Sequence, residues 1–182
     1  MNGIGTQIIE TERLLLRRMT LEDAPAMFRN WTGDPLVARW VTWDTHESPE
    51  ATAEYAAFKA QRYDKPFCFD WIVCLKETGE PIGEIEAVEV SRACRLVEMG
   101  HCYGSRFWNR GYATEALQAF IQYMFEQVGV EKILARHLSV NPASGRTMQK
   151  AGMHYDATLP GYFVDKTTDQ RCDVICYSID RP

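Results

Sequence analysis

The most regular hydrophobic pattern in the chain lies between residues 116 and 128. Apolar residues recur there with a period of about 3.6 residues, at Ala116, Leu117, Phe120, Ile121, Met124, Phe125 and Val128. This spacing places the apolar side chains on one face of a helix. The pattern therefore predicts an amphipathic helix whose apolar face packs against a core.

A basic segment with one glycine, Phe107 to Thr114, lies directly before this helix. Small residues let a ligand approach the backbone closely, and the free N–H groups of a first helical turn favour anions. Alternatively, Gly111 only relieves strain in a turn. The segment lacks the Gly-Lys-Ser/Thr ending of a P-loop and the three spaced glycines of a dinucleotide site. Nucleotide hydrolysis and hydride transfer are therefore disfavoured.

Start signals predict three further helices. Thr20, with Asp23 three residues later, resembles a capping box, and Ser48 followed by Pro49 is a second start signal. The two helices that follow these signals are expected to form a flap over a sheet. The segment from Pro142 to Ala151 predicts a short helix that ends before a glycine.

Seven segments have the alternating or continuous apolar character of strands. They are residues 10–18, 67–75, 82–90, 96–103, 132–140, 155–163 and 171–179. The second, third and fourth are joined by short turns, which predicts an antiparallel meander. The expected fold is mixed α/β, with a mostly antiparallel central sheet of about seven strands, about four helices, and one domain spanning residues 1–182.

Composition adds mainly exclusions. A hydrophobic content of 46% is typical of a globular protein, and no apolar run reaches the length of a membrane span. We therefore expect a cytoplasmic protein without a membrane partner. A net charge of −5 argues against a nucleic-acid partner and weakly favours cationic acceptors. The six cysteines form no C-x-x-C pair, so buried thiols are expected and a metal site is not.

The segment Trp108-Asn109-Arg110-Gly111-Tyr112-Ala113 resembles the Gln/Arg-x-x-Gly-x-Gly/Ala signature of the GNAT N-acetyltransferases, except for Trp108 in the first place. This departure, with the following Thr-Glu-Ala, is similar to the RimJ/RimL-type branch. Four further segments resemble that branch in the same order: residues 12–17, 97–101, 141–153 and 173–177. The resemblance covers nearly the whole chain and implies the GNAT acyl-CoA N-acyltransferase fold.

The resemblance implies acetyl-CoA as co-substrate. Its pyrophosphate would contact the loop residues Trp108, Asn109, Arg110, Gly111, Tyr112, Ala113 and Thr114, with Arg106 and Arg110 adding charge if they are not simply solvated. The pantetheine arm would bind a free strand edge at His101, Cys102 and Tyr103. Asn141, whose position before Pro142 makes it a good helix N-cap, would contact the same arm.

The resemblance also implies catalytic roles. Ser144 would be the acid near the departing thiolate and would contact the cofactor, with Tyr177 as a second candidate acid. Candidate bases are Glu98 and His101, followed by Glu84 and Glu86, although each of these is also compatible with an ordinary strand surface residue. The acceptor pocket would be bordered by Trp40, Trp43 and Asp44, together with Glu84 and Glu86. Alternatively, the two tryptophans pack beneath the flap.

The sequence thus predicts acetyl transfer to a primary amine by direct attack in a ternary complex. A peptide or protein α-amino group is the foremost acceptor, because its pKa of about 7.7–8.0 leaves far more neutral amine than lysine has. An antibiotic, polyamine or metabolite amine is an alternative, and so is a CoA-binding sensor without turnover. The sequence does not determine the acceptor, the base, or the choice between monomer and homodimer.

Overall fold

An eight-stranded sheet runs through the molecule in the order β1-β2-β3-β4-β5-β6-β8-β7. The computed structural model describes residues 1–182. The strands are β1 (Ile9–Glu10), β2 (Leu14–Arg17), β3 (Asp70–Leu75), β4 (Pro81–Ser91), β5 (Leu96–Tyr103), β6 (Lys132–Leu138), β7 (His154–Val164) and β8 (Arg171–Asp180). All neighbours pair antiparallel except β5 and β6, which are parallel. The predicted mixed α/β fold with a mostly antiparallel sheet is confirmed.

The sheet has one more strand than the seven predicted segments. The difference arises at residues 10–18, where the chain forms two short strands instead of one. Ile9 pairs with Leu16 and Glu10 with Leu15, so β1 folds back on β2 through a tight turn.

The α-helices are α1 (Ala24–Met27), α2 (Pro35–Ala38), α3 (Pro49–Ala60), α4 (Tyr112–Tyr123) and α5 (Pro142–Lys150). A wider turn extends α1 through Phe28–Thr32, and another extends α4 through Met124–Val128. The start signals are in place: the Thr20 N–H donates to Asp23 Oδ2 at 2.8 Å, and the Ala51 N–H donates to Ser48 Oγ at 3.3 Å. None of the helices has the length and apolar character needed to cross a bilayer.

The two faces of the sheet are covered by different helices, because successive side chains of a strand point in opposite directions. We call them the α4 face, covered by α4 and α5, and the flap face, covered by α1 to α3. The seven apolar residues predicted for α4 are all buried against the α4 face. A second core of Met27, Trp31, Ile72 and Cys102 lies under the flap.

A buried ion cluster fastens α3 to the flap face. Lys59 is 2% exposed, and its Nζ lies 2.7 Å from Asp70 Oδ2 and 2.8 Å from Glu86 Oε2. Burial raises the pKa of Asp70 to about 6, against the opposing charge of Lys59. Burying an ammonium group without partners would cost roughly several kcal/mol. Lys59 can therefore be buried only because these carboxylates pair with it. The cluster keeps α3 close to β3 and β4.

Candidate active site

The parallel strands β5 and β6 separate at their C-terminal ends. Their pairing runs from Leu96 and Lys132 to Met99 and Ala135, and then stops. Strand β5 nevertheless continues to Tyr103 and β6 to Leu138. A gap between the strands, which we call the β5–β6 gap, is therefore lined by residues 100–103 on one side and 136–138 on the other.

The backbone of β5 offers hydrogen-bonding groups to this gap. The Gly104 N–H donates to the Ile82 carbonyl at 2.9 Å, and alternate residues of an antiparallel ladder bond to the same neighbour. Cys102 therefore bonds to β4, whereas His101 and Tyr103 direct their backbone groups to the gap. The Tyr103 carbonyl accepts the indole N–H of Trp108 at 2.7 Å. The N–H and carbonyl of His101 and the N–H of Tyr103 are left facing the gap.

The segment before α4 presents a row of free backbone N–H groups. Gly111 and Asn109 have φ angles of +82° and +60°, which turn the chain sharply into the helix. The first helical hydrogen bond is the one from the Glu115 N–H to the Gly111 carbonyl, at 3.0 Å, and none of the N–H groups of residues 109–114 donates within the protein. Free N–H groups at the positive end of a helix dipole form an anion site.

Arg13 holds this segment in place, a role that its position in the sequence does not indicate. Its Nη1 donates to the Arg110 carbonyl at 3.0 Å, and its guanidinium lies over the Tyr112 ring and pairs with Glu115 at 2.7 Å. Although burial opposes ionisation of Glu115, hydrogen bonds from Thr11 and Arg13 lower its pKa. Both partners belong to segments that resemble the family, but nothing in the sequence indicates that they meet.

The two loop arginines have different surroundings. Arg106 Nη2 donates to Asn30 Oδ1 at 2.6 Å and lies 3.2 Å from Glu80 Oε1, so its charge is partly neutralised. Arg110 is exposed and forms no ion pair. Only Arg110 has an uncompensated charge to offer an anion at the loop.

The start of α5 differs from the prediction at Asn141. This residue occupies the N-cap position, but its side chain accepts no hydrogen bond from the first turn. The expected side-chain cap is therefore wrong, because the backbone there, with ψ at +69°, departs from the extended conformation that such a cap needs. The Asn141 carbonyl accepts the Ser144 N–H at 3.3 Å instead. The Asn141 backbone N–H donates to the Leu138 carbonyl at 2.8 Å, whereas the Asn141 side-chain amide and the half-buried Ser144 hydroxyl have no partner in the protein.

Tyr177 lies beneath α5 on the α4 face. Its hydroxyl accepts the Gln149 side-chain N–H at 2.9 Å, and its buried ring lies 5.7 Å from the ring of His137. The two rings also line a cavity of about 250 Å³ under the first turns of α5. These contacts account for Tyr177 as a packing residue, and its role as an acid has no further support.

Gly145 packs directly on the His137 ring. A Cβ atom at Gly145 would lie 2.6 Å from His137 Nε2, and this ring is held because its Nδ1–H donates to the Leu138 carbonyl at 2.8 Å. Alanine normally stabilises a helix by about 1 kcal/mol relative to glycine. Here we expect Gly145→Ala to lower the free energy of unfolding by about 1–2 kcal/mol, because overpacking outweighs that gain.

Urea denaturation of a double-mutant cycle tests this prediction. In a His137→Ala background, adding Gly145→Ala should be neutral or stabilising, because the obstructing ring is gone. A stabilising effect of Gly145→Ala in the wild type would show that the ring moves freely, contrary to the prediction.

Glu84 is a buried carboxylate on the flap face, opposite Cys102 in the neighbouring strand. It is 4% exposed, and the Tyr55 hydroxyl donates to it, at 3.1 Å from Oε1 and 3.2 Å from Oε2. The Cys102 thiol lies 3.6 Å from Oε1. Burial raises the pKa of Glu84 to about 7, while Lys59 acts in the opposite direction. A carboxyl with a pKa in this range is suited to accept a proton at neutral pH.

The other candidate bases lie in different surroundings. Glu86 is paired with Lys59, and Glu98 accepts from Arg136 at 2.7 Å. His101 is three residues from Glu98 on one strand, so the two side chains lie on opposite faces of the sheet. Burial on the α4 face lowers the pKa of His101 to about 4, and its Nδ1 has no hydrogen-bond partner. Glu98 and His101 therefore do not form one catalytic pair.

The segment with Trp40, Trp43 and Asp44 contacts the loop between β7 and β8. Lys166 of that loop donates to the Trp43 carbonyl at 2.7 Å and to Asp44 Oδ1 at 3.0 Å. Asp44 is 94% exposed, and both indole rings are half-buried. The segment thus lies at the edge of the flap face, and only part of each tryptophan side chain packs against the protein.

Comparisons with known proteins agree with this geometry. The family model described as Acetyltransferase (GNAT) domain matches residues 13–154. The chain is 30% identical over 175 residues to YoaA of Bacillus subtilis (strain 168), an uncharacterised N-acetyltransferase. The alignment covers 96% of this chain and 97% of that protein.

Solved structures share the fold. The ribosomal-protein-S5-alanine acetyltransferase of Vibrio fischeri gives a TM-score of 0.83 at 18% identity, with 96% of this chain and 97% of that one covered. The microcin C7 self-immunity acetyltransferase MccE, solved with acetyl-CoA and AMP, gives a TM-score of 0.82 at 14% identity, with 93% of each chain covered. Because the family model spans most of the sequence, this chain belongs to the GNAT family of acetyltransferases.

Proposed function

We propose that this N-acetyltransferase transfers the acetyl group of acetyl-CoA to the α-amino group of a peptide or protein. The observation that carries the proposal is the β5–β6 gap. One of its walls, β5, leads to the free N–H groups of residues 109–114, and the same strand carries Cys102, which contacts Glu84 on the flap face. The groups that we propose for anion binding follow β5 in the chain, and the carboxylate that we propose for proton transfer lies on its neighbour β4.

The residues around the gap suit the chemical parts of acetyl-CoA. The N–H groups of residues 109–114 and the charge of Arg110 fit a pyrophosphate. A polar surface pocket of about 400 Å³ adjoins Gly111 and offers room beside this site. The backbone edge of His101 and Tyr103 and the free side-chain amide of Asn141 fit the amides of the pantetheine arm. When bound, acetyl-CoA supplies an activated thioester.

Glu84 is the residue that we propose as the general base. With a pKa of about 7, roughly half of it is ionised at neutral pH, close to the range in which an α-amino group loses its proton. The C–N bond forms as the C–S bond breaks, the amine proton passes to Glu84 directly or through water, and the electron pair leaves with sulfur. The alternative base is Glu98, which also lies on the flap face but is paired with Arg136.

Ser144 is proposed as the acid group at the leaving sulfur, where its hydroxyl donates a hydrogen bond to the departing thiolate. Because a thiolate with a pKa of about 8.5 leaves readily, the acid need supply only a small part of the acceleration. We expect Ser144→Ala to lower kcat about tenfold and to leave the Kd of acetyl-CoA nearly unchanged. Steady-state kinetics and titration calorimetry measure the two quantities.

Thr147→Ala is the matched control for Ser144→Ala. Thr147 lies one turn later on α5, and its hydroxyl donates to the Ala143 carbonyl at 3.2 Å. It should leave kcat within about twofold of the wild type. Equal losses in both variants would indicate a structural effect and would remove Ser144 from the mechanism.

An acceptor screen tests the function itself. Acetyl-CoA would be incubated with peptides that begin with alanine or serine, an N-terminally blocked peptide with a free lysine, spermidine, and the aminoglycoside kanamycin, with CoA-thiol release and product mass as readouts. The proposal expects transfer to the free peptide N-terminus and not to the lysine side chain. Transfer to a small amine alone would contradict the proposed acceptor. Acetyl-CoA binding without any transfer would contradict the enzymatic role.

A further inference from the structure

Helix α3 directs two polar side chains at the carboxylates of the sheet. Tyr55 and Lys59 are four residues apart and therefore project from the same side of the helix. They have different partners, because Lys59 binds Asp70 and Glu86 whereas the Tyr55 hydroxyl reaches Glu84. The helix thus provides a neutral hydroxyl donor to Glu84 and a charged ammonium group to the other two carboxylates.

The Tyr55 hydroxyl is the main hydrogen-bond donor to Glu84. It lies almost equally far from the two carboxylate oxygens, at 3.1 and 3.2 Å, and so restricts rotation of the carboxylate. The remaining donor is the Cys102 thiol at 3.6 Å, which is a weak one. Since Glu84 is 4% exposed, bulk water is not a ready substitute for the phenol.

We propose that Tyr55 is a positioning residue that orients the Glu84 carboxylate and sets its ionisation, so that the base depends on the placement of the flap helix α3. The inference rests on the proposed role of Glu84 as base. It adds a residue of the flap to the acid–base chemistry, one that acts through its hydrogen bonds to Glu84.

The charges around Glu84 determine the direction of the effect. A donor to the charged form favours that form, so the Tyr55 hydroxyl lowers the pKa of Glu84 while burial raises it. Burial and the nearby carboxylates raise the pKa of Tyr55 far above its usual range, so the phenol stays protonated and acts only as a donor. The other charged or titratable groups that act on Glu84 are Lys59 on α3, Asp70 on β3 and Glu86 on β4, and the Cys102 thiol on β5 contacts it.

Removing the phenol hydroxyl should therefore raise the pKa of Glu84. The test is Tyr55→Phe, which keeps the ring, in protein labelled with ¹³C at the glutamate carboxyl carbons. The Glu84 resonance is assigned by its loss in Glu84→Gln, and its titration midpoint is read by NMR. We expect the midpoint to move up by about one pH unit, as the loss of one hydrogen bond to a charged group implies.

Tyr63→Phe is the matched control for this titration. Tyr63 is a buried tyrosine just beyond α3, whose hydroxyl accepts the Met19 N–H at 2.8 Å. Its loss should leave the Glu84 midpoint unchanged. An unchanged midpoint in Tyr55→Phe, with the fold intact by circular dichroism, overturns the inference.

A second measurement covers the case in which Tyr55→Phe does not fold. Replacing all tyrosines by 3-fluorotyrosine makes each phenol a stronger donor at almost the same size. We expect the Glu84 midpoint to move down, and a midpoint that stays or rises overturns the inference.

Kinetics separate this inference from the proposed function. With acetyl-CoA and an alanine-initiated peptide, kcat/KM is expressed per unprotonated peptide amine, so that the ionisation of the peptide itself is removed. The acidic limb of this quantity should then move up by about one pH unit in Tyr55→Phe, and activity should recover at alkaline pH. Wild-type protein that transfers no acetyl group to the peptide contradicts the proposed function, whereas the NMR titration still tests the hold of Tyr55 on Glu84. If the wild type is active and its pH profile coincides with that of Tyr55→Phe, the role of Tyr55 is contradicted and the proposed function is not.

Discussion

Acetyl-CoA binding is expected to weaken by at least about 100-fold when Gly111 is replaced by glutamate, a loss of about 2.7 kcal/mol. Three costs coincide at this position. The φ of +82° is unfavourable for any residue with a Cβ, and a Cβ would lie 3.3 Å from Arg13 Nη2, which holds the loop. The added carboxylate would also stand at the N–H groups that we propose for the pyrophosphate, where it repels phosphate charge.

Two control variants separate these costs. Gly111→Ala keeps the backbone strain and omits the charge, so it should weaken binding by about tenfold or less. Gly129→Ala imposes a similar strain, at a φ of +76°, at the opposite end of the same long helix and should leave binding unchanged. Titration calorimetry gives the Kd of each folded variant. Wild-type affinity in Gly111→Glu would rule out this loop as the pyrophosphate site.

Glu84→Gln is expected to lower kcat by about 100-fold or more, which is the range of general base catalysis. Glutamine has the shape of glutamate and can still accept the Tyr55 hydrogen bond, so the fold and the Kd of acetyl-CoA should be retained. Lys59 keeps Asp70 and Glu86 as partners in this variant. A selective loss of kcat would identify Glu84 with the chemical step.

The pH profile gives an independent test of the same role. A base must be deprotonated, so a pKa of about 7 predicts that wild-type kcat/KM, expressed per unprotonated peptide amine, falls as the pH is lowered through about 7. This acidic limb should disappear in Glu84→Gln. If Glu98→Gln removes it instead, Glu98 is the base, and a limb that survives in both variants would exclude both carboxylates.

Local patterns were sufficient for the secondary structure around the site. The apolar period predicted α4 because a helix repeats its faces within a few residues. The seven apolar residues of that pattern are all buried. The capping signals at Thr20 and Ser48 predicted helix starts for the same reason, since a cap involves residues only three positions apart. At Asn141 this reasoning failed, because the conformation of the cap residue is set by its surroundings and not by its type.

The opposite orientation of Glu98 and His101 could have been deduced without coordinates. As candidate bases, both residues lie on the strand beside the expected thioester. Their odd separation on one strand already requires opposite faces. The lowered pKa of His101, by contrast, follows from burial under α4, which depends on the tertiary packing.

The sequence by itself predicted four of the five helices and, apart from the division of the first strand, the strands in their order, together with the glycine loop before α4 and, through its resemblance, the family. These features depend on residues that are near one another in the chain. The tertiary structure alone decided that Arg13 supports the loop around Gly111, that β5 and β6 separate after Met99 and Ala135, and that Tyr55 reaches Glu84. Each joins segments far apart in sequence, and a contact of this kind leaves no periodic trace in either segment. The loop was therefore predictable from the chain, whereas the surroundings of Glu84 followed only from the packing of the flap on the sheet.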